Sequence, residues 1–364
     1  MEKPKYKRMK GSQSFRERML LATLSSTPII IDEIRADDMI AGLRLHERSL
    51  LGLLDTIFDD SHIKTNLTGT QVIYEPGIVM GRKNLVHNCA LTRSIGYYLE
   101  PLLLLGLFGK EPLSIRLKGI TNDPKDLSVD TIRSTTLNIL KRFGVAPDGG
   151  GQVLLTVPNV QTLTAVQWLE EGMVKKIRGV TFSARVSTDF EHSMRFTARG
   201  IFNNLLPDVH ISQDHKAGPL AGKSPGYGIS LVAETTSGCY ISADTTVSCG
   251  RRDETGELDV EKQERKPPQD TGVDVASWLL QEIEKGGVVD STHQVRLLFT
   301  LCALCQKDVS KVRVGTLSPY GVETLRNLKE FLGVTFEIKP DPLTGTVILT
   351  CLGSGLINLA RKLS

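Results

Sequence analysis

The sequence predicts an α/β protein with an internally repeated architecture. Its 364 residues are 40% hydrophobic and 23% charged, a composition that can fill the core of a large globular chain. An order of helix, strand, helix and hairpin recurs three times, which is typical of a fold built from one supersecondary unit. A stretch from about 178 to 274 interrupts the third round and indicates an inserted α/β domain.

Hydrophobic periodicity and turn residues define the elements of the three rounds. The first round contains helices at 15–25 and 44–58, a strand at 28–36 and a hairpin at 62–77 that turns at Thr68-Gly69. The second and third rounds are predicted as helix 97–108, strand 113–121, helix 128–144 and strand 149–158, then helix 293–305, strand 311–317, helix 316–332 and a hairpin of 335–340 with 345–353.

The interruption has its own order of elements. We predict a strand at 177–187, a helix at 189–206, a strand at 208–214, a hairpin at 227–247 and a helix at 275–287. The loop at 250–272 is charged, contains proline and has few large apolar residues, and we expect it to be mobile.

Composition excludes some classes of protein and leaves others open. A net charge of +3, from 44 basic and 41 acidic residues, neither requires nor excludes nucleic acid. Residues 1–10 hold five basic residues and one acidic, and form either a solvated tail or a basic arm for RNA or an acidic partner. The chain has neither an apolar run long enough for a membrane span nor an apolar signal core, so we expect no membrane partner.

Cysteine and histidine spacing predicts no metal site. With no secretory signal, the six cysteines are expected to be reduced thiols. Cys302 and Cys305 have CxxC spacing but lie in an apolar segment without a second pair, which favours buried core thiols over a zinc site. The seven histidines show no metal-ligand spacing.

Two glycine motifs have low specificity. Gly222-Lys223-Ser224 matches the end of a phosphate-binding loop, but the earlier glycine is replaced by Ala217 and a strand follows instead of a helix. We therefore interpret it as a turn. Gly149-Gly150-Gly151 permits close approach of a ligand or another chain.

The segment 316–332 is predicted as a helix with clear ends. Ser318 can cap it, Pro319 suits the first helical position, and Gly333 can end it. The face opposite its apolar stripe carries Arg326, Asn327 and Lys329, two cations and an amide suited to phosphate contact. A solvated surface remains the simpler interpretation of that face.

The order of several short motifs resembles the RNA 3′-terminal phosphate cyclase family, over nearly the whole chain from Gly11 onward. EIRADDMIAGL at 33–43 is similar to the family's I-R-A-x-x-x-x-P-G-L segment, and IRLKGITND at 115–123 to its G-G-T-D-N strand end. GTQVIYEPG at 69–77 and PDGGGQV at 147–153 resemble two of its turns. The segments ETTSG, VDSTHQ and KVRVGTLSPYGVETLR resemble the eukaryotic cyclase-like branch more than the active enzymes.

The chain departs from the cyclases where their chemistry resides. The resemblance implies that active members use a histidine in the 316–332 helix to take AMP from ATP, and Tyr320 matches that position. A phenol lacks the basic nitrogen of imidazole, so it should not form a phosphoramidate. The ATP-holding glycine-rich loop is replaced by GSQSFR, in which we single out Gly11, Ser12, Gln13 and Arg16, and a glutamine position falls at Glu100, whose charge would repel phosphates.

The resemblance implies a large domain of three repeated βαβαββ-type units at 11–177 and 275–364, a small α/β domain inserted at 178–274, and a basic tail at 1–10. It implies a non-catalytic factor in the nucleus and nucleolus, with no cofactor, that acts in early processing of pre-rRNA to 18S and in 40S assembly within the small-subunit processome. Its expected partners are a nucleolar ribosome-assembly GTPase and a precursor particle that contains pre-rRNA and snoRNA. The alternative is an endonuclease that cleaves pre-rRNA through Arg326, Asn327 and Lys329, and a residual cyclase ranks last.

Overall fold

The computed structural model describes residues 5–143, 153–221, 225–249 and 266–359. The glycine turn at 149–151, the segment 222–224 and most of the loop at 250–272 lie outside these residues.

The described residues form a mixed α/β structure. Its first part contains β1 (Lys7–Lys10), α1 (Phe15–Leu24), β2 (Ile29–Asp32), α2 (Leu45–Ile57), β3 (Phe58–Asp59), β4 (His62–Thr65), β5 (Val72–Glu75), β6 (Ile78–Val79), β7 (Leu85–Asn88), α3 (Gly96–Leu107), β8 (Leu113–Lys118), α4 (Val129–Ser134), α5 (Thr136–Arg142), β9 (Leu154–Val157) and β10 (Gln167–Trp168). The rest contains β11 (Val174–Ala184), α6 (Asp189–Phe202), β12 (Val209–Lys216), a short 3-10 helix (Gly218–Ala221), β13 (Gly226–Thr235), β14 (Tyr240–Ser248), α7 (Pro268–Lys285), α8 (Gln294–Leu304), β15 (Val309–Val314), α9 (Pro319–Leu332), β16 (Phe336–Asp341) and β17 (Thr346–Leu352).

Four of the sheets share one pairing order, a parallel pair followed by an antiparallel neighbour. The first has the order β1-β2-β5-β4, the second β7-β8-β9 and the third β10-β15-β17-β16. In each of them the first two strands are parallel and the third is antiparallel to the second. A fourth sheet, β12-β11-β13-β14, forms with α6 and α7 the predicted strand, helix, strand, hairpin and helix of the interruption.

The predicted basic tail is wrong for residues 7–10, which form the edge strand β1. Its register places Lys7 opposite Ile29 and Lys10 opposite Asp32. Met9 is 8% exposed and joins the large core, while Arg8 and Lys10 alternate outward. One apolar residue among cations is enough to form this edge strand, because β2 supplies its backbone hydrogen-bond partners. Nearby carboxylates pair with both Arg8 and Lys10.

Two hydrophobic clusters make up the core of the described residues. The larger one contains the buried faces of α1, α2, α3, α8 and α9, and it includes both Cys302 and Cys305. The prediction of buried core thiols is therefore confirmed, and burial raises the pKa of Cys305 to about 12. No described helix combines the length and the apolar character that a membrane span requires.

The smaller cluster belongs to the fourth sheet with α6 and α7. It runs from Ile177 on β11 to Leu279 on α7. The predicted boundaries at 178 and 274 fall inside these two elements, because α7 begins at Pro268 and its apolar stripe, Val275 and Leu279 included, packs against the sheet. A unit with this core takes in all of β11 and α7.

Gly81 is expected to be intolerant of a side chain. Its φ is +67°, and an added Cβ would lie 1.6 Å from the carbonyl oxygen of Glu111. Gly81→Ala should therefore cost more than about 2 kcal/mol of unfolding free energy. Gly52→Ala is the matched control, because that site in α2 is open and alanine favours helix by up to about 1 kcal/mol. Denaturant unfolding with equal losses for both variants would contradict this account.

Candidate functional site

A polar cleft of about 870 Å³ lies among the helices of the large core, with α1, α2, α3, α8 and α9 contributing to its lining. Polar residues of the cleft come from α1 and the loop before it, from α3 and the loop before it, from the loop before α4, from α8 and the residue before it, and from α9. Among them are Ser12, Gln13, Arg16, Glu17, Arg93, Glu100, Asp126, His293, Arg296, Tyr320, Arg326 and Asn327. The sequence-predicted Tyr320, Arg16 and Glu100, far apart in the chain, therefore meet in one place.

The start of α9 has the predicted geometry. The Ser318 hydroxyl accepts a hydrogen bond from the backbone N–H of Gly321 at 3.2 Å, Pro319 is the first helical residue, and Gly333 ends the helix with φ +68°. These signals fix Tyr320 at the mouth of the cleft, where it is 61% exposed. The Arg296 guanidinium lies 5.6 Å from the centre of its ring, within the range of a cation–π contact.

Asn327 is buried whereas Arg326 and Lys329 are exposed, so the predicted trio for phosphate contact needs correction. Asn327 is 5% exposed, and its Nδ2 donates to Oε2 of the buried Glu17 at 2.8 Å. The buried face of α9 is wider than the spacing of its apolar residues indicated. It includes the Asn327 amide, because α1 presents the Glu17 carboxylate to that amide. Arg326 and Lys329 are exposed, and only Arg326 lines the cleft.

The loop before α1 presents side chains to the cleft. Gly11 has φ +70°, and Ser12, Gln13 and Arg16 follow it along the wall. The buried Arg18 holds the loop, since its Nη1 donates to the carbonyl oxygens of Lys10 and Gly11, each at 3.0 Å. The loop therefore presents side chains where a glycine-rich loop would leave bare backbone.

Arg16 and Glu100 form an ion pair inside the cleft. Arg16 Nη2 donates to Glu100 Oε2 at 2.8 Å, and its Nη1 donates to the carbonyl oxygen of Tyr97 at 2.8 Å and lies 3.7 Å from Asp126. Burial alone would raise the pKa of Glu100, but Arg16, Arg296 and His293 outweigh it and lower that pKa. Glu100 is thus an ionised carboxylate at neutral pH. It pairs with Arg16, a cation that could otherwise bind a phosphate.

Sequence reasoning missed several cleft residues. Arg93 forms a two-pronged pair with Asp126, with both N–O distances at 2.6 Å. Arg296 makes no side-chain hydrogen bond or ion pair within the described part of the chain, and Glu100 and Glu17 raise its pKa against the opposing effect of burial. The available signal for Arg296 was its position as the one charged residue in the α8 sequence QVRLLFTLCAL.

Glu17 gives the cleft a pH-dependent stability. Burial raises its pKa, and Arg296 and the amide of Asn327 offset only part of that effect. Because the pKa of Glu17 is higher in the folded state than in the unfolded chain, its contribution to stability is fully present below the ordinary carboxyl pKa. That contribution is lost as the pH rises through the folded-state pKa of Glu17. We expect wild type to lose stability relative to Glu17→Gln as pH rises through this window. Urea unfolding of both proteins from pH 4 to 8 measures the difference, and a gap that moves the other way would contradict the assignment.

No group of three or more His, Cys, Asp or Glu side chains in the described ranges is arranged to hold a metal ion.

Known proteins are similar to this chain over nearly its whole length. The family model described as RNA 3′-terminal phosphate cyclase matches residues 7–338. A protein named "Probable RNA 3'-terminal phosphate cyclase-like protein" from Arabidopsis thaliana is 76% identical over 98% of this chain and 99% of its own length. "RNA 3'-terminal phosphate cyclase-like protein" from Homo sapiens is 42% identical, over 97% of each chain. "rRNA processing protein rcl1" from Schizosaccharomyces pombe is 37% identical, over 98% of each chain.

Proposed function

Because the chain belongs to the RNA 3′-terminal phosphate cyclase family, we propose that it is a non-catalytic member that acts in rRNA processing. The name of the Schizosaccharomyces pombe relative, an rRNA processing protein that aligns over 98% of both chains, supports the second part of this proposal. The first part rests on the cleft.

Tyr320 carries the proposal that catalysis has been lost. The phenol stands at the start of α9, where the resemblance expects the histidine that takes AMP. It lacks a basic nitrogen at neutral pH, so nucleophilic attack on ATP has no group to perform it at that position. Arg16 pairs with Glu100, and Arg93 pairs with Asp126. These ion pairs neutralise two guanidinium groups that could otherwise bind phosphates, which further supports a cleft that no longer binds a triphosphate.

The finer parts of the proposal follow from the family branch. The protein acts in the nucleolus, in early pre-rRNA cleavages that lead to 18S rRNA and the 40S subunit, as part of the small-subunit processome. It binds a ribosome-assembly GTPase and the precursor particle. In the first three sheets the parallel edge strand precedes its partner in the chain, whereas in the fourth sheet it follows, and this shared order supports a large domain of repeated βαβαββ-type units.

Depletion of the protein in cells tests the function. We expect 18S precursors to accumulate, a tagged protein to recover an assembly GTPase, and Tyr320→Phe to restore processing fully. Normal precursor levels after depletion, together with no recovered GTPase, would refute the proposal. Purified protein should leave a precursor transcript intact, which separates this function from the endonuclease alternative.

A further inference from the structure

The outer face of α6 exposes an aromatic side chain among cations. The inner face of the helix is apolar, with Met194, Ala198 and Phe202 fully buried in the smaller core cluster. On the outer face Phe196 is 73% exposed, and the His192 ring stacks near it with centroids 6.5 Å apart and an interplanar angle of 21°. The amphipathic helix therefore presents a large apolar ring to solvent at a defined position.

Two arginines lie near this ring, Arg199 one helical turn after it and Arg195 directly before it in the sequence. Arg195 Nη1 donates to Oε1 of Gln213 on β12 at 3.0 Å, which holds its guanidinium toward that strand. Arg199, three residues after Phe196, is exposed and makes no side-chain hydrogen bond or ion pair within the described part of the chain. From 192 to 204 the sequence contains no carboxylate. We call His192, Arg195, Phe196 and Arg199 the α6 face; none of them lines the cleft.

The charge of the α6 face selects its partner. An exposed ring flanked by cations, with no carboxylate on its own helix from 192 to 202, has the chemistry of a stacking platform for single-stranded nucleic acid. A different pattern surrounds Trp278 on α7, which is 41% exposed. The residues one turn away from it are Asp274, Val275, Gln281 and Glu282, and none of them is basic. Phe196 therefore has basic residues beside it, whereas Trp278 has acidic residues and no basic residue one turn away.

We propose that the α6 face is a binding site for single-stranded RNA, in which one base stacks on Phe196 and Arg199 contacts an adjacent phosphate. The inference rests on the proposed role in rRNA processing, for which it names a contact surface outside the cleft. Arg195, held by Gln213, supplies a second cation for the backbone, and His192 extends the stacking surface. Recognition of this kind depends on base stacking and charge, so it should tolerate changes in RNA sequence.

Fluorescence anisotropy with the full chain and an unstructured 12-nucleotide uridine-rich RNA tests the site. Phe196→Ala should weaken binding about 5- to 100-fold, whereas Phe196→Trp should retain it. Arg199→Ala should reduce the slope of log affinity against log salt by about 0.7, the value for one phosphate contact on a single strand. Trp278→Ala, the matched control, should bind as wild type. A 2-aminopurine in the RNA should change emission with wild type and not with Phe196→Ala.

Unchanged RNA affinity in both Phe196→Ala and Arg199→Ala, or an equal loss in Trp278→Ala, would overturn the inference. So would loss of a co-purifying protein from Phe196→Ala with RNA affinity intact, because the face would then bind protein. These outcomes are separable from the proposed function, which depletion tests. If depletion disturbs rRNA processing but Phe196→Ala binds RNA as wild type, the α6 face is not the RNA site, and the proposed function in rRNA processing is unaffected.

Discussion

Asp290→Ala should cost about 3–4 kcal/mol of unfolding free energy, because one buried carboxylate serves two parts of the molecule. Its Oδ1 accepts the backbone N–H groups of His293 and Gln294 at 2.9 and 3.0 Å, which caps the start of α8. Its Oδ2 accepts the hydroxyl of Ser242 on β14 at 2.8 Å. A helix cap contributes about 1–2 kcal/mol, and a hydrogen bond to a charged group about 1.5–3 kcal/mol. Denaturant unfolding measures the loss.

Asp290→Asn is the control for that prediction. An asparagine oxygen can still cap α8, and the Ser242 hydroxyl can turn to accept, so most of the stability should be retained. The alanine variant should also loosen the contact between the fourth sheet and α8, which limited proteolysis would report as earlier cleavage. An Asp290→Ala protein as stable as Asp290→Asn would show that the carboxylate does not join the two parts.

Arg16→Ala should cost about 2–3 kcal/mol and is the second large effect. The substitution leaves Glu100 without its direct partner and removes a cation from near Asp126, which is almost fully buried. Removal of one member of a buried ion pair costs more than the pair contributes, because the remaining charge stays desolvated. Adding Glu100→Gln to Arg16→Ala should therefore recover part of the loss, as a double-mutant cycle would measure.

Arg8→Ala is the matched control for the Arg16 prediction. Arg8 also pairs with a carboxylate, Asp32, but its side chain is 72% exposed. An exposed pair contributes less than about 1 kcal/mol, so this variant should unfold close to wild type. Equal losses for Arg8→Ala and Arg16→Ala would mean that the cleft pair has no special energetic role.

Local signals predicted α9 well and its environment poorly. Ser318, Pro319 and Gly333 act within a few residues, so the sequence alone located the helix and with it Tyr320. The partner of Asn327 is Glu17, 310 residues away in the chain. No periodicity in α9 carries information about that contact, and the amide was therefore predicted on the wrong face.

The contrast between local sequence signals and contacts with distant residues also explains the other differences between the predicted and observed elements. Strand β1 was predicted as a tail because its partner β2 and the carboxylates that neutralise it lie outside the segment. The segment 128–144 was predicted as one helix but forms α4 and α5 with Thr135 between them, whose hydroxyl donates to the carbonyl oxygen of Thr131 at 2.7 Å. Side-chain bonds of this type bend helices. The hairpin at Thr68-Gly69 was confirmed, because it depends on local pattern.

Adenylylation tests the central claim most directly. Purified full-length protein is incubated with labelled ATP and Mg²⁺ and examined for covalent AMP, with an active cyclase as positive control and Tyr320→His alongside. We expect no label on the wild type, because Tyr320 is not a nucleophile toward ATP, and none on the variant, because the loop from Gly11 to Arg16 and the Arg16–Glu100 pair no longer hold triphosphate. Covalent AMP on the wild-type protein would contradict the account and identify the protein as an enzyme.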